Sequence, residues 1–525
     1  SRMGLGSRAI CRRASLLGLQ CKAMDGGGSR RVWLAKSSHD AGGSVAALRS
    51  LGAKSDSRGE RSSRWSRRDS VRKAKKFVDE DVDMEESVST ATPSVIDDDD
   101  SIAEPCPTRP RLVPRTVSIQ NGQGGIRSIC VVGGGPSGLG CCRVLCDAGL
   151  DVTLIQESRG LGGKLCTKYV NGKEDPTLHF DMGVQLMKPA GALRDVLGDA
   201  VAPWPRAGRF KAIRCEGTWE KWRIAAVSDI STEGYVVGVP SMSSVGHYLA
   251  DQCKGLRIHV DRTARVRGKV PSTQQWEVEW ERGAPTAGQM RYRPELKDVP
   301  NERGRGEFDA VVLAFEANKI VRGCKSGYKQ TQPSATPFIQ RQVKSCKTCQ
   351  LWNLMIAFDS ELPMPWDAAN VVGHPAIAWV AVDSSKPQRA RTPQCFMVFS
   401  TREWANWKQW GQREVERELL NEFLWFLEEV LGQQPPKPCF VLSGRWGNST
   451  EAVLTHDRPQ GEFPLRATGF HQDRAPVVWD STGRMGATGD WARGFSVSDA
   501  YVAGVELAMA LIAENALAAE KCQGS

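Results

Sequence analysis

The chain has 525 residues and a formal net charge of +10 at pH 7, a length that allows two or three domains. No apolar run is long enough to span a bilayer. The positive excess lies mostly before Lys76, in a segment rich in Arg, Ser and Gly, so it builds no basic face for nucleic acid.

Residues 1–76 carry Arg12-Arg13, Arg30-Arg31 and Arg67-Arg68 with few acids and many serines. That composition fits an organellar transit peptide, with a plain basic tail as the alternative. Charge reverses over 79–86 and 97–100, in blocks that repel themselves and have almost nothing to bury. Pro105, Pro107, Pro110 and Pro114 then make a stiff linker. Residues 1–126 are expected to be a disordered extension outside the fold.

The next stretch organises the rest. Ile129-Cys130-Val131-Val132 reads as a strand running straight into Gly133-Gly134-Gly135-Pro136-Ser137-Gly138, a G-x-G-x-x-G turn. A helix follows, with Leu139, Val144 and Leu145 on its buried side and Gly149 placed to end it. A second strand covers 152–155. In this order Gly133 allows the tight turn, Gly135 lets backbone approach a pyrophosphate, and Gly138 lets helix pack on strand, with the helix N-terminus aimed at the phosphates. An acid is expected at the end of the second strand to bind ribose hydroxyls. The chain offers Gln156 and then Glu157, so the acid is either replaced or displaced by one residue.

Ser158-Arg159-Gly160-Leu161-Gly162-Gly163-Lys164 and Phe180-Asp181-Met182-Gly183-Val184-Gln185 come next. At these residues the chain resembles the renalase-like branch of the FAD-dependent amine oxidase superfamily, whose members carry similar S-R-G-x-G-G-R and D-x-G-A-Q-Y segments. The likeness covers most of 127–517. It departs from the family pattern at Gln156, at Lys164 in place of arginine, and at Leu186 in place of an aromatic. Lysine is a point charge where arginine is a planar fork.

Trp204, Trp219 and Trp222 suggest a strand-rich segment with exposed or half-buried aromatics. Tyr235-Val236-Val237-Gly238-Val239-Pro240-Ser241-Met242 resembles the V-G-x-P-G-M segment with which the family returns to the flavin domain, with Ser241 in place of glycine. A helix is expected over 244–253. Strands are expected at 258–260 and at 276–280, where apolar and charged residues alternate. The apolar run 308–314 reads as a central parallel strand.

Beyond residue 321 the pattern turns to longer Trp-rich strands at 351–358, 376–382 and 395–400, with a helix over 404–431. Asp383-Ser384-Ser385-Lys386-Pro387-Gln388-Arg389 resembles the family's D-S-S-K-P-G-R loop, and Lys386 and Arg389 are candidates to receive a phosphorylated substrate, with an ordinary solvated turn as the alternative. Trp379 is a further pocket candidate. Arg445-Trp446 resembles part of an R-W-R-Y-A segment that Gly447 and Asn448 do not continue, which makes Trp446 either a flavin-facing aromatic or core. Ala487-Thr488-Gly489-Asp490-Trp491 resembles the closing motif of the class, whose aspartate accepts hydrogen bonds from the ribityl chain. The following helix, 497–511, would point its N-terminus at the flavin pyrimidine end. The tail 500–519 reads as an amphipathic helix packed on a sheet.

The expected fold is α/β: a discontinuous FAD/NAD(P)-binding Rossmann-like domain from 127–190, 237–320 and 471–525, with an inserted mixed-sheet substrate domain from 191–236 and 321–470. The implied cofactor is FAD. Its expected contacts are Gly133, Gly135, Pro136, Ser137, Gly138, Gln156, Glu157, Arg159, Gly162, Gly163, Lys164, Gln185, Leu186, Gly489 and Asp490. The sixteen cysteines are scattered, and many sit in predicted core elements, such as Cys130, Cys142 and Cys146, which suits a reducing interior better than a disulfide framework. The lone C-x-x-C at Cys346 and Cys349 is a poor zinc site. No Ser-His-Asp set, metal cluster or carboxylate pair stands out among only seven histidines.

The resemblance implies an oxidase that moves a hydride from a small reduced substrate, a dihydronicotinamide isomer or an amine, to flavin N5, with dioxygen as acceptor. Two alternatives stay open: a plastid flavoprotein acting on a polyene, and a non-catalytic nucleotide-binding partner protein. The expected location is intracellular, with plastid preferred by analogy with related proteins of photosynthetic cells and cytoplasm as the alternative.

Overall fold

The computed structural model describes the backbone of 19–24 and 31–36 and, with short gaps at 173–174, 345, 347–348, 408–410 and 495, residues 125–282, 302–322, 335–449 and 477–523. Leu19–Met24 and Arg31–Lys36 form an antiparallel pair. The expected transit peptide beyond that pair and the acidic linker lie outside the described residues.

A six-stranded sheet holds the glycine turn. Its order is Arg257–His259, Asp151–Ile155, Ser128–Val132, Ala310–Leu313, Met485–Ala487 and Val478–Asp480. The first five strands run parallel and the last is antiparallel. Parallel strands with both faces covered need continuous apolar runs, and Ser128–Val132 and Ala310–Leu313 supply them, with Ile129, Val131, Ala310 and Val311 fully buried. The helix Pro136–Asp147 leaves the first strand at the turn, with Pro136 supplying a preset φ at its start. Such a strand-turn-helix-strand unit with a parallel sheet is the Rossmann-like arrangement.

A seven-stranded mixed sheet is the second layer system. It runs Phe440–Ser449, Cys349–Phe358, Gln394–Ser400, Ile377–Val382, Ala368–Val372, Phe210–Thr218 and Lys221–Asp229. Only the contact between Ala368–Val372 and Phe210–Thr218 is parallel, so one chain segment from each side of the nucleotide strands closes this sheet. Its core is aromatic, with Trp366, Phe358, Phe396 and Phe423 packed between the sheet and the helix Gln412–Leu431. A three-stranded sheet, Thr263–Lys269, Trp276–Glu281 and Arg303–Phe308, packs Val278 and Phe308 against the nucleotide sheet.

Several local expectations need correction. Trp204 and Trp222 are buried, and only Trp219 is exposed, because strand Lys221–Asp229 turns Trp222 inward onto His374. The helix expected over 404–431 is two helices, Arg402–Trp407 and Gln412–Leu431, the second starting after Gly411. The C-terminal helix Val497–Gln523 packs on the sheet through Leu507 at Gly486, but it also lies against the first helix. A Cβ at Gly504 would overlap the Ser137 carbonyl, and one at Gly140 would overlap that of Tyr501, so glycines let the two backbones touch. Among the described residues no helix is long and apolar enough to cross a membrane.

Candidate functional site

A cavity of about 510 Å³ opens above the C-terminal ends of the parallel strands, where the glycine turn, the second glycine pair and the Gly489-Asp490 turn converge. That is the place where open parallel sheets bind ligands. The three glycines of the first turn have separate roles. Gly133 has φ of 110°, open to glycine, and a side chain there would collide with the Ala314 carbonyl. One at Gly138 would collide with the Gly133 carbonyl, so this residue sets how closely the helix returns onto the strand. Gly135 differs: its Cβ would stand 4.0 Å from the Cα of Gly163 and otherwise point into open space. The helix that starts there has no side-chain cap and no acid in its first turn. Its first N–H groups are therefore available to an anion in the cavity.

Gln156 is fixed by the turn itself. Its Oε1 accepts from the Gly134 N–H at 2.6 Å, and its Nε2 donates to the Ser158 hydroxyl. A carboxylate in that position could only accept from Ser158, whose hydroxyl donates instead to the Gly160 carbonyl. Glu157 lines the cavity next to it, more than half exposed, 3.4 Å from Lys319 Nζ. Glu157 is thus the acid at the strand end that lines the cavity.

Across the cavity, Gly163 faces Gly135, and Lys164 Nζ lies 2.5 Å from Asp490 Oδ2 with both side chains about five-sixths buried. The two charges flank the space between the glycine turns and the wall formed by Met182, Val184 and Trp446. Trp446 is thus one of the lining residues. Its Nε1 donates to the Met182 carbonyl at 2.9 Å, and Asn353 Nδ2 donates to the same oxygen at 2.9 Å. Two donors from neighbouring strands of the second sheet hold this piece of the nucleotide segment.

Residues 131–200 match the NAD(P)-binding Rossmann-like domain family. The fold of the cavity and the family of its first segment therefore agree. A solved structure from Exiguobacterium sp. 255-15, provisionally assigned as a protoporphyrinogen oxidase, is similar to 74% of this chain and 99% of its own length, with 12% identity and a TM-score of 0.49.

Five expected contacts do not line this cavity: Gly138, Arg159, Gly162, Gln185 and Leu186. Gly162 packs its backbone against Gly246 of the helix Met242–Asp251. Arg159 lies close enough to Lys168 that, after burial, its charge helps push that ammonium down to about 8. Gln185 turns its amide back onto the Gly183 carbonyl at 3.1 Å and the Asp181 carbonyl. Leu186 is fully buried among core side chains. These positions shape the segment. Ser137 and Pro136 do line the cavity, while Gly138 acts from below.

Lys386 and Arg389 need a plain correction as receivers of a substrate phosphate. Lys386 Nζ lies 2.7 Å from Asp181 and 2.5 Å from Asp383, and Arg389 bridges the same two carboxylates, with all four side chains essentially inaccessible. Their charges are spent on each other. Trp379 is likewise core, edge-on to Phe210 with a ring separation of 5.8 Å. The acids of this quartet were not among the expected site residues, although Asp181 and Asp383 both stood in the quoted motifs. Burial alone would raise the Asp181 carboxyl, but the Arg389 and Lys386 charges outweigh it and hold the group well below the usual carboxylate range. Asp181 Oδ1 also accepts from the Thr167 hydroxyl at 2.6 Å and the Met242 N–H at 3.2 Å. The quartet thus anchors the residue immediately before Met182.

Proposed function

We propose that the chain is an FAD-dependent oxidoreductase acting on a small reduced substrate, a dihydronicotinamide isomer ahead of an amine, with dioxygen as acceptor. The observation that carries the reading is the single cavity running from an uncapped helix N-terminus, between two facing glycine turns, past the Lys164 and Asp490 pair, to the Trp446 wall. Gly135 also leaves free space where a Cβ would intrude, which fits a phosphate group held by backbone.

In this proposal the N–H groups of the first helical turn hold the pyrophosphate, Glu157 accepts from ribose hydroxyls, and Lys164 and Asp490 part to hold a phosphate oxygen and a ribityl hydroxyl. FAD would supply the hydride acceptor and return electrons to dioxygen. Trp446, fixed by its bond to Met182, forms one face of the substrate space and excludes water from it. The nucleotide part is assigned to 127–190, 237–320 and 471–525 and the substrate part to 191–236 and 321–470.

The test is the visible spectrum of the purified full chain before and after adding FAD. Flavin bands shifted from those of free FAD, bleached without air by a dihydronicotinamide isomer, support the whole proposal. Bleaching by an amine alone moves the substrate class. No shift and no quenching of added FAD overturn the reading and leave a partner-binding role.

A further inference from the structure

A second cavity, of about 330 Å³, lies in the substrate sheet and shares no residue with the first. Three arginines line it, Arg206, Arg209 and Arg391, against two carboxylates, Asp367 and Glu361. Asp367 is almost completely buried and is the keystone. Its Oδ2 accepts from the Arg206 backbone N–H at 3.1 Å and Nε at 2.9 Å, and its Oδ1 from Arg206 Nη2 at 2.6 Å and Arg209 Nε at 2.8 Å. Arg209 Nη2 donates to the Met364 carbonyl at 2.7 Å. Nη1 of both guanidiniums stands outside this network. One carboxylate thus fixes two forks in place and neutralises only one of them. Arg391 at the rim is exposed and sits 3.8 Å from Glu361, a weak pairing that leaves the positive excess standing.

The rest of the lining is different in kind. Leu362, Met364, Trp366 and Val382 give it an apolar wall. Of the polar groups that remain, Gln394 bonds both backbone groups of Leu362 and Ser385 accepts from Trp204 and donates to Val382, while the buried Trp366 Nε1 has no partner among the described residues. A ligand would therefore find preset cation donors on one side and apolar surface on the other. Oriented guanidiniums match planar carboxylates best.

We propose that this cavity is a second binding site, for a small organic carboxylate whose apolar body rests on Met364, Trp366 and Val382. The volume falls at the lower end of small-molecule sites, enough for one ring or a short chain. The floor of the site is the turn Asp383–Ser385, whose Ser384 and Ser385 line it while Asp383 belongs to the buried quartet beside Met182. The site stands independently of the FAD reading.

The test is titration of the full-length protein with benzoate, and separately with inorganic phosphate, at constant ionic strength, read by calorimetry and by tryptophan fluorescence. Saturable one-to-one benzoate binding is expected. Arg206→Gln leaves Arg209 on Asp367 and should weaken it about tenfold, the scale of one charge-assisted contact. Arg391→Glu, at an exposed position that the fold does not depend on, should weaken it similarly and decides the matter if Arg206→Gln melts early. FAD titration of both variants should be unchanged. Absence of saturation below about 10 mM benzoate, equal affinity in wild type and both variants, or binding of phosphate with no benzoate binding would each overturn the proposal.

Discussion

Gly135 and Gly138 lie three positions apart in one turn and carry opposite burdens. Gly135→Ala adds a methyl into free space, so its melting temperature should match wild type within error, while FAD affinity should fall by about tenfold or more as the phosphate is pushed from the helix N-terminus. Gly138→Ala drives the same methyl into the Gly133 carbonyl and should cost about 1–3 kcal/mol of stability before any ligand is added. Parallel urea melts and FAD titrations of the two variants separate cavity from scaffold. Lys386→Met leaves two buried carboxylates facing one guanidinium, and a loss of about 3–5 kcal/mol is expected. A near-neutral melt for that variant would mean the quartet is wetter than its burial says. Acid should act on the same group. The folded pKa of Asp181 is depressed, so its contribution is present above the unfolded value of about 3.9 and is lost as pH falls below it. In Asp181→Asn, stability should therefore be lower at pH 6 and flatter between pH 5 and 3 than in wild type, as measured by denaturant melts across that range.

At the scale of elements, the contact between the first helix and the C-terminal helix is made by backbone meeting backbone at Gly140 and Gly504. Gly504→Leu has no room against the Ser137 carbonyl and should lower the melting temperature and, because Ser137 sits at the cavity floor, weaken FAD as well. A stability loss with FAD affinity unchanged would show that the helix end is held by the turn and not by its neighbour. The first strand, turn and helix could be read from the chain because all their determinants are local: an apolar run, glycines at fixed offsets, and proline at the first helical position. The break at Gly411 was hidden, since the helical spacing of Leu419, Leu420, Phe423 and Leu427 marks the second helix without showing where it starts.

At the scale of the molecule, the two large sheets meet where Asn353 and Trp446 donate to Met182, residues 171 and 264 positions away from it in sequence. A ligand that occupies the cavity beneath that junction binds only the folded chain. FAD at a hundredfold excess over its dissociation constant should add about 2.7 kcal/mol of stability, read as a concentration-dependent rise in melting temperature. The sequence alone determined the Rossmann-like turn, the parallel strands that flank it and the position of the glycines that line the cavity, because each follows from periodicity and backbone conformation within some thirty residues. Tertiary structure decided which cations were free. Lys386 and Arg389 look like phosphate ligands in a loop motif, yet they are consumed by Asp181 and Asp383, one of them more than 200 positions distant in sequence. Arg206 and Arg209 drew no notice as residues of an ordinary segment, yet Asp367 turns them toward a second cavity. A charge's role depends on what the fold places within a few ångströms of it, and long-range pairing of that kind leaves no periodic trace in a single chain.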